Sequence, residues 1–340
     1  MNREEAVALL ERAVSPADVF GEDEAEAARL YRRLARLVHP DAAPDGSSRH
    51  FARLSELWHA RRAAATPVLE AGRRRFRLGA TLASGDVAEL YAAEASEDGG
   101  RWRSVVVKMP RDPSDNDLMA REEEALRTLR RDGDPRFRAY VPDLVTTFRH
   151  RDPGTGETRG VDVLAPLTGF VSFAQVSAAH PDGVDPRDAA WMWRRLLVAL
   201  GFAHRAGVVH GAVLPDHVLV HPEKHGLVLA DWCYSVTRPG GRVPAMVDRH
   251  ASLYAPEIPA REPAVPGTDV YMASRCVARL MGDRAPAALR RFVAGCTLPA
   301  PHRRPRDAWR LLAELDELLE RLYGRRTFRP FTMPPGGDHG

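Results

Sequence analysis

Lysine is nearly missing from this chain: of its 49 basic residues only Lys108 and Lys224 are lysine, and the rest are arginine. Asparagine occurs twice and glutamine once. The skew reads as the imprint of GC-rich coding and carries no function by itself, but it makes a lysine at a chemically demanding position informative. Cysteine is scarce too. Cys233, Cys276 and Cys296 are odd in number, far apart and free of C-x-x-C spacing, which argues against a disulfide framework or a zinc site and for a reducing compartment. No stretch approaches the roughly eighteen apolar residues of a membrane span, and the opening MNREEAVALL is acidic where a secretory signal is basic. These absences predict a cytoplasmic protein with no membrane contact. Charge of one sign is also lacking. The 49 basic residues nearly balance 46 acidic ones, for a formal net charge of +3, so bulk electrostatics argue against nucleic acid as a partner.

What is present is ordinary for a folded protein: 44% hydrophobic and 28% charged residues over 340 positions, enough for two domains with their own cores. No internal repeat is visible. Residues 1–63 read as helical, with a helix over the opening dozen residues, a second from Glu24 to Val38 and a third from Ser48 to Arg62, the last capped by Ser47 or Ser48. A linker is predicted over 64–75. From Phe76 to Lys108 the pattern is strand-like, including Leu78 to Tyr91 and Val105 to Val107; a charged helix follows at Asp117 to Arg131, then a strand near Val161 to Leu167. The remainder is mostly helical, with DPRDAAWMWRRLLVALGFAHRAG as its longest amphipathic segment. The expected class is α+β: a small helical unit, then a two-lobed unit over 76–322 with a β-rich lobe at 76–167 and a helical lobe at 168–322. Residues 323–340, rich in Pro and Gly, read as a mobile tail in which Phe328 and Phe331 are the candidates for docking.

In the second helix Ala27, Tyr31, Leu34 and Val38 form an apolar stripe, while Arg29, Arg32, Arg33 and Arg36 recur at the same spacing on another face. Phe51, Leu54 and Trp58 of the third helix can pack on that stripe across a loop that begins His39, Pro40, Asp41. Pro40 stops the helix and stiffens the loop start, leaving the Asp41 carboxylate free to meet an arginine of another protein. A bare HPD triplet and a solvated arginine face would ordinarily mean nothing. Here RLYRRLARLVHPD followed by FARLSELW resembles the J-domain of co-chaperones over some 60 residues. The resemblance implies docking on a seventy-kilodalton heat-shock chaperone and stimulation of its ATPase, through Arg32, Arg33, Arg36, His39, Pro40 and Asp41.

From Phe76 onward the order of motifs resembles the protein kinase family over about 250 residues. LASGDVAELY occupies the place of the phosphate-covering loop, keeping Gly85 but putting Ala83 and Ala88 at the outer glycines. VVVK places Lys108 where the family's lysine holds phosphates and pairs with a helix glutamate, for which Glu122 is the best match among Glu122, Glu123 and Glu124. The catalytic loop HRDxxxxN appears as HGAVLPDH: His210 is kept, Gly211 removes the arginine, Ala212 replaces the catalytic aspartate, Leu214 replaces a lysine and His217 replaces the metal-binding asparagine. LADWC places Asp231 at the metal-binding aspartate. YAPE ends in Glu257, TDVY supplies Asp269 as a backbone-fixing aspartate, and HRRPR supplies Arg304 as partner of Glu257, a folding element.

A methyl group at 212 can neither accept a proton nor hydrogen-bond, and imidazole is a poor ligand for a hard cation. The resemblance therefore implies a J-domain fused to a pseudokinase: no intact catalytic residue, a recruitment or scaffold role, and an unidentified client on the kinase-like unit. A short linker would hold both events at high effective concentration. Any nucleotide, ATP with Mg²⁺, would be held by Gly85, Lys108, Glu122 and Asp231 with Asp231 on the metal. The alternative is an active serine/threonine kinase with a non-standard loop, in which Asp216 or His210 replaces the lost base. HG-x also resembles small-molecule kinases of the aminoglycoside and choline type, but those require the following aspartate.

Overall fold

The structure is a computed structural model and describes residues 1–21, 23–39, 48–65, 67–153 and 155–334. The chain divides into two compact units, Met1–Leu69 with Arg77–Gly79, and Glu70–Phe76 with Ala80 onward. Among the described residues no helix is long and apolar enough to cross a membrane.

Among the described residues the first unit holds the α-helices α1 (Arg3–Arg12), α2 (Glu24–Val38) and α3 (Arg49–Ala65). Asn2 and Glu5 form a capping box at the start of α1, and Asp23 accepts the Glu26 amide to start α2. Ala27, Leu34 and Val38 of α2 are buried with Leu10 of α1 and Leu54 and Leu57 of α3. Tyr31 stacks on Trp58 at 4.7 Å and His39 meets Phe51 edge-on at 5.4 Å. These contacts run in opposite order along the two helices, so α2 and α3 are antiparallel. The apolar stripe at helical spacing explains the packing, and the arginines are what that stripe leaves outside.

The strands β1 (Val68–Ala71), β2 (Arg74–Ser84), β3 (Ala88–Glu97), β4 (Arg103–Pro110), β5 (Leu144–Arg151) and β6 (Thr158–Leu164) lie in the order β1-β2-β3-β4-β6-β5. Helix α4 (Asn116–Asp132) buries Leu118, Met119, Glu122, Ala125, Leu126 and Leu129 along one face. The helical lobe comprises α5 (Phe173–Ala179), α6 (Pro186–Arg205), α7 (Pro266–Met281), α8 (Ala287–Cys296) and α9 (Ala308–Tyr323), with a small sheet of β7 (Val171–Ser172), β8 (Val218–His221) and β9 (Gly226–Leu229). Pro186 opens α6 without forfeiting a hydrogen bond, and α6 is apolar nearly all round because it is the helix the others pack on.

Two boundary expectations are corrected. The stretch read as a linker, 64–75, contains β1 and the first residues of β2, joined through Gly72 at φ +60°. A four-residue strand in an Ala/Pro/Gly-rich stretch leaves too short a period to register. The tail is also ordered as far as it is described: Phe331 is 5% exposed among Trp191 and His180, and Arg329 donates to both Asp188 oxygens, at 3.1 and 3.3 Å. Phe328 stays outside against His225. Composition suggested mobility, but one aromatic and one arginine facing α6 suffice to dock the segment.

Candidate functional site

Lys108 ends the apolar run of β4, opposite Leu90 of β3 and Asp162 of β6. The pleat turns it inward, where its Nζ donates to Glu122 Oε2 at 2.5 Å, Asp231 Oδ1 at 2.9 Å and Cys233 Sγ at 3.2 Å. Burial disfavours the ammonium charge, but the surrounding acidic groups, Asp231 foremost, hold its pKa well above the ordinary value. The three glutamates of α4 have separate partners. Glu122 turns inward and also accepts the Trp232 amide at 3.1 Å, Glu123 accepts from Thr147 and pairs with Arg127, and Glu124 accepts from Thr237.

Asp231 sits in the left-handed region, φ 61° and ψ 70°, a conformation that an ordinary residue holds only when its surroundings impose it. Its Oδ1 takes Lys108 and its Oδ2 lies 3.1 Å from His217 Nε2. The other His217 nitrogen, Nδ1, is 2.8 Å from the Ala212 carbonyl. Burial opposes a charge on His217; the Asp231 carboxylate outweighs it and moves the pKa upward, while Lys108 and His217 together hold Asp231 well below the usual carboxylate range against the same burial.

The loop preceding His217 is fixed from below. Asp269 of α7 accepts the amides of His210 and Gly211, both at 2.8 Å, and the His204 ring at 2.8 Å. Gly211 has φ +77°, and a Cβ there would come within 2.8 Å of the Tyr234 carbonyl and of Val243. The backbone has settled where glycine alone is comfortable, so the missing arginine is a structural commitment of this loop.

Both candidate substitute bases have partners. His210 is buried, its Nε2 faces the Ala230 carbonyl at 2.9 Å and its Nδ1 accepts the Ala212 amide at 3.2 Å; burial pulls its pKa down to about 4, so it is neutral and fully engaged. The Oδ2 of Asp216 meets His250 Nε2 at 2.5 Å and Arg249 Nη2 at 3.2 Å. Arg249 also reaches Asp86 Oδ1 at 2.5 Å, tying the β2–β3 turn to the catalytic-type loop. Gly85 gives its own amide to the Ala88 carbonyl at 2.9 Å, closing that hairpin.

The structure thus brings Lys108, Glu122, Asp231 and His217 into one charged chain, with Ala212 contributing only its carbonyl. These residues leave Lys108, the donor a phosphate would need, 3% exposed with its Nζ on Glu122, Asp231 and the fully buried thiol of Cys233. They do not fit the expected Mg²⁺. Both Asp231 oxygens already face nitrogens, Lys108 Nζ at 2.9 Å and His217 Nε2 at 3.1 Å, and the neighbouring ligand position carries imidazole in place of amide oxygen. Among the described residues Glu122, Asp231 and Cys233 form the one group with metal-ligand spacing, but Glu122 is occupied by Lys108 and the Trp232 amide, and burial pushes the Cys233 thiol well above its ordinary pKa.

Sequence reasoning passed over Asp162, which is 2% exposed and has no partner on Oδ2. Burial raises its pKa to about 8, with Glu122 adding to the shift. The one signal was an acidic residue within V-D-V-L. Arg249 and His250 offered no signal, because their partners lie 33 and 34 residues away in the chain. In the first unit Arg32, Arg33 and Arg36 are exposed and, with Arg29 and Leu37, line a depression of about 400 Å³. His39 begins the loop; Pro40 and Asp41 lie outside the described residues.

A twisted sheet carrying the lysine, one inward helix with its glutamate, and a helical lobe holding the loop and Asp231 define a protein kinase-like fold. Many solved structures share it, among them the following two. A mutant kinase domain of PknI from Mycobacterium tuberculosis aligns with a TM-score of 0.54 at 16% identity, over 72% of this chain and 95% of that one. Vaccinia related kinase 3 aligns with a TM-score of 0.57 at 15% identity, over 76% and 91%. At these identities the likeness shows the fold alone. No family model and no curated protein matches the chain.

Proposed function

We propose that the kinase-like unit is a pseudokinase that holds a nucleotide without transferring phosphate, and that the first unit is a J-domain recruiting a seventy-kilodalton heat-shock chaperone to whatever client the pseudokinase binds. The observation that carries the first half is Ala212: at the place of a proton acceptor stands a buried methyl group, and the residue's carbonyl faces His217; His210 has both ring nitrogens engaged, and Asp216 has its Oδ2 on His250 and Arg249. Supporting the second half are the antiparallel α2–α3 pair, the exposed Arg32, Arg33 and Arg36, and His39 at the start of the loop. Asp41 is the carboxylate expected to meet the chaperone.

Radiolabelled ATP incubated with the purified full chain and generic protein substrates should give no incorporation above that of Asp231→Ala. Transfer that disappears in that variant would establish the alternative, an active kinase. For the first unit, the full chain should stimulate the ATPase of a seventy-kilodalton chaperone and Asp41→Asn should not. A wild-type protein without effect on that ATPase refutes the co-chaperone role.

A further inference from the structure

We propose that a cavity on the helical lobe, walled by α6, α9 and the segment after Tyr323, is a binding site for an organic phosphate, a phosphate monoester carried on an apolar or aromatic body. None of Lys108, Glu122, His217 and Asp231 lines it, so this site is separate from the cleft.

The cavity has a volume of about 610 Å³, far more than a bare inorganic anion needs and within the range of small-molecule sites. Arginines reach it from two elements, Arg187 and Arg194 from α6 and Arg325, Arg326 and Arg329 from the segment that closes it. Three of these have carboxylate partners: Arg187 meets Asp185 at 2.9 Å, Arg329 meets Asp188 at 3.1 Å, and Arg194 pairs with Asp316. Arg325 and Arg326 are exposed and have no ion pair among the described residues. Glu320 also lines the cavity and offsets one of them. Arg195, next along α6, restores the excess, because its donors go to the neutral Tyr140 hydroxyl and His225 carbonyl. The repulsion is felt locally. Burial foremost, then Arg326 and Arg195, lowers the pKa of Arg194, and the same two arginines work with burial on His225. Like charges held together are a standing electrostatic cost, and a dianion among them removes it.

Geometry selects phosphate. Guanidinium groups arriving from two elements need acceptors spread in space; a phosphate monoester offers three oxygens in a tetrahedral array, a carboxylate two in one plane. The remaining walls select an organic body. The His225 ring lies flat on Trp191, centroids 4.1 Å apart and planes 7° from parallel, and Phe328 tilts against His225 at 4.5 Å. His225 holds φ 51° in the β8–β9 turn, a strained conformation kept where it completes this stack. The Trp191 indole N–H meets no acceptor among the described residues although the residue is 7% exposed, so this wall has a donor to spare. Phe328 and Tyr323 are 68% and 42% exposed and, with Leu319, present an apolar surface on which a ligand's ring or chain can rest. Unpaired charge and exposed ring thus lie within one short stretch of chain, Arg325 to Phe328.

Phenyl phosphate, which joins a dianion to a ring, is the probe. In calorimetric titration of the full chain at low salt, changing Arg325→Gln and Arg326→Gln together should weaken its binding at least about tenfold. Arg303→Gln with Arg306→Gln removes the same charge from an exposed stretch before α9 and should leave the affinity within about twofold. Inorganic phosphate should bind more weakly than phenyl phosphate, and Phe328→Ala should narrow that gap. No binding of phenyl phosphate at millimolar concentration overturns the proposal, as does binding that survives the loss of Arg325 and Arg326. Equal weakening by the two double variants also overturns it, since the anion then meets a basic surface and no site. Vesicles of phosphatidylcholine carrying a phosphatidylinositol phosphate separate the two sources of such a ligand. Co-sedimentation that requires Arg325 and Arg326 supports the site with a lipid headgroup as occupant; phenyl phosphate binding without co-sedimentation supports it with a soluble ester.

Discussion

Asp162 stands directly opposite Lys108 on the neighbouring strand, and its Oδ2 has no hydrogen-bond partner although the residue is 2% exposed. The lysine that could have neutralised it is already taken by Glu122 and Asp231. Burial, then the nearby Glu122, raises its pKa from 3.8 to about 8. The folded state thus keeps a proton that the unfolded chain releases from about pH 4 upward, so stability falls as pH rises through that window and levels off above the folded value. Asp162→Asn cannot ionise and should remove that slope. In denaturant titrations the variant should gain on the wild type by a few kcal/mol more at about pH 8 than at about pH 5. Equal differences at both pH values would mean that Asp162 is ionised in the folded protein.

Gly211→Arg restores the residue most kinases carry, yet it should harm this protein. The position has φ +77° and a Cβ would press on the Tyr234 carbonyl at 2.8 Å. A loss of about 1–3 kcal/mol is expected in chemical denaturation, with no gain of phosphotransfer. A variant as stable as the wild type would show that the loop can rearrange.

Phe331→Ala should undock the terminal segment. The lost packing against Trp191 and His180 is expected to lower stability by about 2–3 kcal/mol and to expose the chain beyond Tyr323 to limited proteolysis. Phe328→Ala, at a ring that is 68% exposed, should change stability by less than about 0.5 kcal/mol. Equal effects of the two substitutions would contradict the docking seen here.

Arg249→Ala removes the side chain that links Asp86 to Asp216. Because the Asp86 contact is half-exposed, the global stability change should stay below about 1 kcal/mol. The readout is local: amide hydrogen exchange should quicken in the β2–β3 turn around Asp86 while the helical lobe is unchanged. An unaltered turn would mean the hairpin hydrogen bond from Gly85 to Ala88 holds it alone.

The order of motifs was enough to expect a kinase-like fold, because strands and helices announce themselves through local period and each motif lies within a dozen residues. The arginine stripe on α2 and the apolar stripe opposite it were legible for the same reason. Less could be read at the cleft. Glu122, Glu123 and Glu124 are equivalent in sequence, and only the rotation of α4 on the sheet sends the first inward. His217 read as a lost ligand; its contact with Asp231 joins residues fourteen apart through a turn whose path no local pattern specifies. Asp162 and Lys108 lie on strands paired antiparallel, a register that sequence does not state.

Sequence alone determined which chemistry is absent: no arrangement of the chain can make Ala212 accept a proton, since that depends on the side chain and nothing else. It also determined that a lysine, one of two in the chain, ends the third valine of VVVK. Tertiary structure decided what the surviving charged groups do. Lys108, Glu122, Asp231 and His217 come from a strand, a helix and two loops, and whether they face a ligand or one another depends on distances of about 3 Å that only packing sets. In this protein they face one another, because buried charges without a partner are costly and each group's nearest available partner is another member of the set.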